Sequence, residues 1–159
     1  MKELLGCLYK LQEEREESKK SGQVIIQTYN PDNFCIEYAK KQDYEGFYNT
    51  EISIRKSLNY PPFCDIIMFG ISGTDETEII KASNELYKLL QKNTKNIYVY
   101  KPVSAPVDKI KNKYRWRIIA KCKLSNSIID SVNNALDEFY KLKHKNVTVI
   151  VDINPSSMM

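Results

Sequence analysis

An α+β fold, with two helices on one face of an antiparallel sheet, is predicted by three features of the sequence. After residue 64, short runs rich in β-branched and aromatic residues alternate with two amphipathic segments of helical period. The order of these segments is β-α-β-β-α-β, which lets two helices cover one face of a four-stranded sheet. The segment over 114–123 alternates as a half-buried strand does. Together they predict the ferredoxin-like, or split βαβ, arrangement.

The residues before this unit are predicted to be mainly helical. Residues 2–20 carry a short leucine stripe and then a fully charged run, which is typical of a solvated helix or a frayed tail. A short strand is predicted over 23–28, and one or two helices over 33–58. The Tyr60-Pro61-Pro62-Phe63 segment must end the helical region, because a proline pair cannot continue an α-helix. Residues suited to cap the helices over 33–58 are Asp32 or Asn33, and Asp43.

The six elements after residue 64 have local signals for their ends. Thr74 or Asp75 is suited to cap the first helix, and Ser125 or Asn126 the second. A proline-broken loop is predicted over 102–106. The predicted elements are a strand over 65–72, a helix over 76–92, strands over 97–100 and 114–123, a helix over 127–142 and a strand over 147–153.

Positive charge is concentrated in one part of the chain. The segment from Lys101 to Lys123 has eight basic residues and one acidic residue, a net charge of +7, whereas the whole chain has +4. A local basic cluster of this kind indicates a polyanionic partner better than overall charge does. The segment therefore predicts a contact with a polyanion, of which nucleic acid is one candidate.

Alternation along the third strand predicts which side chains make this contact. The even positions, among them Trp116, pack beneath the helices, and the odd positions form a basic stripe on the face left open, with Ile119 within it. Lysines of the preceding loop continue the odd register, and two tyrosines of the neighbouring strand offer stacking surface. The other interpretation is a solvated or acid-paired face, or one that docks on another domain. The candidate DNA-binding residues are Lys109, Lys111, Lys113, Arg115, Arg117, Lys121, Lys123, Tyr98 and Tyr100.

Sequence signals for catalysis and metal binding are weak. The chain has no GxxxxGK[ST] phosphate loop, HExxH motif or GxSxG motif. Its four cysteines form no CxxC pair and its lone histidine is His144, so we expect buried, reduced thiols and no zinc site. Asp152 is expected to have a structural role at a strand end. No apolar run is long enough to span a membrane, which favours a cytoplasmic protein.

Four blocks of the sequence form an ordered set of motifs. They are GQVIIQTYNP (22–31), DYEGFYNTEISIRKSLNYPPF (43–63), KPVSAPVDKIKNKYRWRIIAKCK (101–123) and VTVIVDINP (147–155). In this order they resemble the C-terminal blocks of the bacterial primosomal protein N′ (PriA) family. That family has the patterns G-x-V-x-I-Q-T, D-Y-x-x-F-Y-x-x-E-x-x-x-R-x-x-x-x-Y-P-P-F, P-x-P-A-P followed by Y-R-W/Y, and D-x-x-P.

The resemblance implies a part of an ATP-dependent, 3′-to-5′ superfamily 2 DNA helicase that acts in replication restart. By position it implies that residues 22–62 correspond to the last strand of the second helicase lobe and a helical connection, and 63–155 to a ferredoxin-like C-terminal domain. Residues 1–21 share nothing with the family, and 156–159 form a tail. The family's ATP-binding and zinc-binding motifs are absent from this sequence. We therefore expect no cofactor and no enzymatic activity of this chain itself.

The resemblance also implies partners. They are single-stranded or forked DNA, the single-stranded DNA-binding protein and other primosome components. The alternative is a structural docking domain that packs on the helicase lobes and has no function in isolation.

Overall fold

The computed structural model describes residues 26–110 and 112–156. Contacts divide the chain into two units, and the division falls between Leu58 and Asn59. The predicted helix over 2–20 lies outside the described residues. Of the predicted strand over 23–28, residues 26–28 are described and form no strand, so this part of the prediction is wrong.

The first unit contains a helical hairpin among its described residues. Asn33 and Asp43 cap its two helices, since each side chain accepts a hydrogen bond from a backbone N–H of the first turn. The rings of Phe34 and Phe47 stack between the helices with their centroids 6.1 Å apart. The two helices are α1 (Phe34–Lys41) and α2 (Tyr44–Ser57).

The second unit contains an antiparallel sheet and two helices, which confirms the predicted α+β class. Its described elements are β1 (Asp65–Gly73), α3 (Glu76–Asn93), β2 (Tyr98–Val99), β3 (Val103–Ile110), β4 (Lys113–Cys122), α4 (Asn126–Lys141) and β5 (Val147–Ile153). Strand β1 lies between β4 and β5, and both β2 and β3 pair with the outer edge of β4.

The outer edge of the sheet differs from the prediction. The loop predicted over 102–106 is a strand from Val103 onward, because β3 runs beside β4 and pairs with it. Pro106 lies in β3 between Ser104 and Lys109, where the register of the two strands shifts. Proline is tolerated there because an edge strand and an irregular pairing need no N–H from that residue. The second strand of the predicted sheet is therefore split into β2 and β3.

Helices α3 and α4 cover one face of the sheet and form the core with it. Asp75 caps α3 and Ser125 caps α4. The even positions of β4 face this core, as predicted, although Trp116 is only partly buried against it. The largest core side chains with almost no exposed surface include Phe69, Ile71, Leu86, Ile118 and Phe139.

Candidate nucleic-acid interface

The sheet face turned away from α3 and α4 is called the open face below. The strand register shows which residues are neighbours on this face, since directly opposed residues of neighbouring strands project to the same side of the sheet. Arg117 of β4 lies between Val103 of β3 and Gly70 of β1, and Arg115 lies opposite Ser72. Beyond β1, the open face continues onto β5 with Thr148, Ile150 and Asp152.

Three cations follow one another along β4 on this face. Lys113 is exposed, and Arg115 and Arg117 are half-buried. Lys123, the last residue of the predicted stripe, is exposed just beyond the end of β4. Successive residues of one strand face are about 6.6–7 Å apart. Lys113, Arg115 and Arg117, named the basic stripe from here on, therefore form a row of positive charge across the open face.

Lys109 does not extend this stripe as the sequence predicted. Lys109 pairs with Tyr114, an even position of β4, so it belongs to the helix side of the sheet. Its Nζ lies 4.7 Å from the centroid of the Tyr114 ring, a cation–π contact. The prediction that Lys109 continues the odd register is wrong, because the irregular pairing within β3 changes the register by an odd number of residues. Lys111 lies outside the described residues.

Lys121 projects to the open face but is buried, with only 7% of its surface exposed. Its Nζ lies 3.6 Å from the centroid of the Tyr60 ring and 5.6 Å from that of Tyr100. The Lys121 charge also acts on Cys64: burial raises the pKa of that thiol, and the nearby ammonium partly opposes the rise. Lys121 is thus held among aromatic rings and is more buried than the residues of the basic stripe.

Tyr98 and Tyr100 lie on the open face at the edge of the sheet. Tyr98 is opposite Lys121, and the backbone N–H of Tyr100 donates to the carbonyl of Ile119 at 2.8 Å. The two rings meet edge to face with centroids 4.7 Å apart, and 66% of Tyr98 is exposed. The structure therefore brings both tyrosines to the same face as the basic stripe, with free ring surface on Tyr98.

Neither a metal cluster nor a membrane-spanning helix is found within residues 26–110 and 112–156. No three His, Cys, Asp or Glu side chains in these ranges are grouped so that they could hold a metal ion. No helix in them has the length and apolar character needed to cross a membrane.

Comparison with known families identifies the second unit. The family model of the primosomal protein N C-terminal domain matches residues 56–156. This match covers more than half of the chain. The chain belongs to this family.

Three relatives of this primosomal family illustrate the similarity, and each is named replication restart protein PriA. The protein of Bacillus subtilis is 28% identical over 143 residues, which is 89% of this chain and 18% of the relative. That of Synechocystis is 30% identical over 88% of this chain and 16% of the relative. That of Borreliella burgdorferi is 34% identical over 89% of this chain and 21% of the relative. The chain thus spans about a fifth of the length of these relatives.

One residue of the primosomal domain's candidate interface was missed by sequence reasoning. The Tyr60-Pro61-Pro62-Phe63 segment predicts only the end of a helix, yet the Tyr60 ring covers the Lys121 ammonium. The contact joins residues 61 positions apart in the sequence, and a local sequence pattern does not predict a contact between residues so far apart. Only the presence of an aromatic residue beside two rigid prolines was available as a signal.

Proposed function

We propose that this chain is a DNA-binding module of the replication-restart machinery, with no catalysis of its own. It contacts single-stranded or forked DNA through the open face of its sheet. The proposal draws its biological setting from the family and from relatives named replication restart protein PriA. The single observation that carries the DNA contact is the basic stripe of Lys113, Arg115 and Arg117 on the open face.

The chemistry of the stripe suits a phosphate backbone. Arginine and lysine side chains are donors only, and arginine offers its donors in a planar fork that matches phosphate oxygens. A row of such groups binds any sequence and releases counterions from the nucleic acid. The function therefore needs no ATP, zinc or other cofactor bound to this chain.

The resemblance to the family supports two further parts of the proposal. The partners include the single-stranded DNA-binding protein and other primosome components, and the module acts in the cytoplasm, where bacterial DNA is replicated.

A salt titration of single-stranded DNA binding tests the proposal. If three phosphates meet the stripe, the logarithm of the affinity falls against the logarithm of salt concentration with a slope of about −2, or about −0.7 per phosphate. Binding at physiological salt is expected near ~10⁻⁴ to 10⁻⁶ M, the range of non-specific contact. Lys113→Glu together with Arg115→Glu should weaken binding at least about tenfold and flatten the slope to about −0.7.

A matched control keeps the net charge equal. Lys88 of α3 and Lys141 of α4 are exposed on the helices that cover the opposite face. Lys88→Glu together with Lys141→Glu changes the total charge by the same amount. If both double variants weaken binding equally, overall charge and not the stripe determines affinity, and the proposed interface is wrong.

A docking role is the second candidate, and exposed apolar residues on the same face favour it. Ile150 has 64% of its surface exposed beside Gly70, and Val103 has 47% exposed at the sheet edge. An apolar surface of this kind is typical of a protein contact. Undetectable DNA binding at low salt, together with self-association that Ile150→Lys abolishes, would decide for docking.

A further inference from the structure

A cleft opens at the edge of the sheet where β2 and β3 separate. Its volume is about 530 Å³, which lies within the range of small-ligand sites. Between the two strands, the backbone N–H of Tyr100 still donates to the Ile119 carbonyl of β4, and residues 101 and 102 lie outside both strands. The lining that decides what can bind consists of Tyr60, Tyr98, Tyr100, Lys101, Ile119 and Lys121.

The polar floor of this cleft is the buried Lys121. An ammonium group has three N–H donors and no acceptor. The nearby Tyr60 and Tyr100 rings make cation–π contacts with this group. A ligand that reaches this floor must therefore offer an acceptor, such as a keto oxygen, and not a second donor.

The wall of the cleft is aromatic and in part exposed. Tyr98 has 66% and Tyr100 has 40% of its surface exposed, and Tyr98 is the more accessible stacking surface. Planar aromatic ligands stack on such rings, and nucleobases do so whatever their sequence. The exposed Lys101 stands at the rim, within reach of an anionic group.

We propose that this cleft is a subsite for one unpaired nucleobase of a DNA strand, with a preference for a keto base such as thymine. The base stacks on Tyr98, its keto oxygen accepts a hydrogen bond from Lys121, and Lys101 meets the adjoining phosphate. This inference rests on the proposed function, because the basic stripe must bind the DNA strand before one of its bases can enter the cleft. Lys121 and the stripe residues lie on the same face of β4, so one strand can occupy both.

Charge complementarity favours an anionic ligand in the cleft, and the aromatic wall favours a nucleic acid over an acidic peptide that has no bases to stack. The stripe and Lys101 make the approach to the cleft cationic. In the proposed pose the keto oxygen at position 4 of thymine meets Lys121. Cytosine has the ring size of thymine and keeps the keto oxygen at position 2, but it has an amino donor at position 4. The cleft should therefore bind oligothymidylate in preference to oligocytidylate.

The experiment compares three probes of equal length: oligothymidylate, oligocytidylate and an abasic sugar–phosphate strand. The full chain should bind oligothymidylate about 5- to 100-fold more tightly than the abasic strand, the effect of one stacked base. It should also prefer oligothymidylate to oligocytidylate by about 10-fold, the effect of one hydrogen bond to a charged donor. Fluorescence anisotropy of labelled probes at low salt measures both ratios.

Three variants test whether the two affinity ratios depend on residues of the cleft. Tyr98→Ala removes the stacking ring and should lower the preference for thymidylate over the abasic strand. Lys121→Met keeps the apolar stem of the side chain; it should abolish the preference over cytidylate and lower the preference over the abasic strand by the same factor. Tyr140→Ala is the control, because Tyr140 is an exposed tyrosine on α4 with 55% of its surface accessible; both ratios should stay as in the unchanged chain.

The outcomes separate this inference from the proposed function. Equal affinity for thymidylate and the abasic strand overturns the cleft while leaving the stripe in place, and so does an unchanged base preference in Tyr98→Ala. Binding of no probe overturns both proposals. Displacement of oligothymidylate from Tyr98 by an acidic peptide, with an unaltered abasic affinity, assigns the cleft to a protein partner and also overturns the inference.

Discussion

Asp65 joins three strands at one end of the sheet. Its carboxylate accepts a hydrogen bond from the backbone N–H of Leu124, just after β4, at 2.8 Å, and another from the Asn154 side chain, just after β5, at 2.9 Å. Asn154 in turn exchanges hydrogen bonds with the backbone of Ile66 in β1. These bonds, led by that from Leu124, lower the pKa of the Asp65 carboxyl group.

Asp65→Ala should lower the free energy of unfolding at neutral pH by about 1–3 kcal/mol, because it leaves the donors of Leu124 and Asn154 without their acceptor. The folded-state pKa is depressed, so the stability from the ionised carboxylate is full above the unfolded pKa of about 3.9. It is lost as the pH falls through the lower, folded pKa. Urea denaturation should thus show a difference in unfolding free energy between the unchanged chain and Asp65→Ala at neutral pH, and this difference should disappear in acid.

The exposed Asp137 of α4 provides a control, and Asp137→Ala should change stability by less than about 0.5 kcal/mol. If the difference in unfolding free energy between the unchanged chain and Asp65→Ala persists in acid, this account is wrong.

At the scale of elements, the helices were predictable because local chemistry determines their ends. Asp43, Asp75 and Ser125 cap helices at positions that the sequence predicts. The alternation along β4 likewise predicts which of its side chains face the core. These features depend on residues a few positions apart, and the sequence displays them directly.

The edge of the sheet was not predictable in the same way. Pro106 argues for a loop, but the cost of a proline in a strand depends on whether the strand is an edge, which is a tertiary property. The irregular pairing within β3 then moved Lys109 to the other side of the sheet. The role of Tyr60 was not predictable from local sequence, because its partner Lys121 lies far along the chain. The sequence therefore predicts which face the residues of β4 and the two edge tyrosines occupy, but not the placement of Lys109 or the Tyr60 contact.

The packing of the elements predicts unequal costs for two aromatic truncations. Phe69 of β1 has no exposed surface, whereas Trp116 of β4 is only partly buried at the margin of the core. Phe69→Ala should cost about 3–5 kcal/mol, because it removes a buried ring and leaves a cavity. Trp116→Ala should cost less, since its neighbours and water can fill part of the space. Chemical denaturation of both variants measures the difference, and a larger loss for Trp116→Ala would mean that the core is centred elsewhere.

At the scale of the whole molecule, the candidate site and the core belong to the same unit. The basic stripe, the cleft and the core cluster all lie after Asn59. The family match begins at residue 56, close to this division. A rigid sheet of this kind holds its surface side chains in register, so the site needs no residue from the first unit.

A shortened chain of residues 59–159 should therefore fold and bind as the full chain does. It retains all five described strands, both covering helices and the Cys64 to Asn59 contact, in which the thiol donates to the backbone carbonyl. We expect one cooperative unfolding transition in urea and an unchanged affinity for oligothymidylate at low salt. Circular dichroism and fluorescence anisotropy provide the two measurements, with the Tyr98→Ala form of the shortened chain as the control for specific binding. A shortened chain that unfolds cooperatively but loses affinity would place an essential part of the interface in residues 1–58. One that shows no cooperative transition would mean that the second unit depends on the first for its stability.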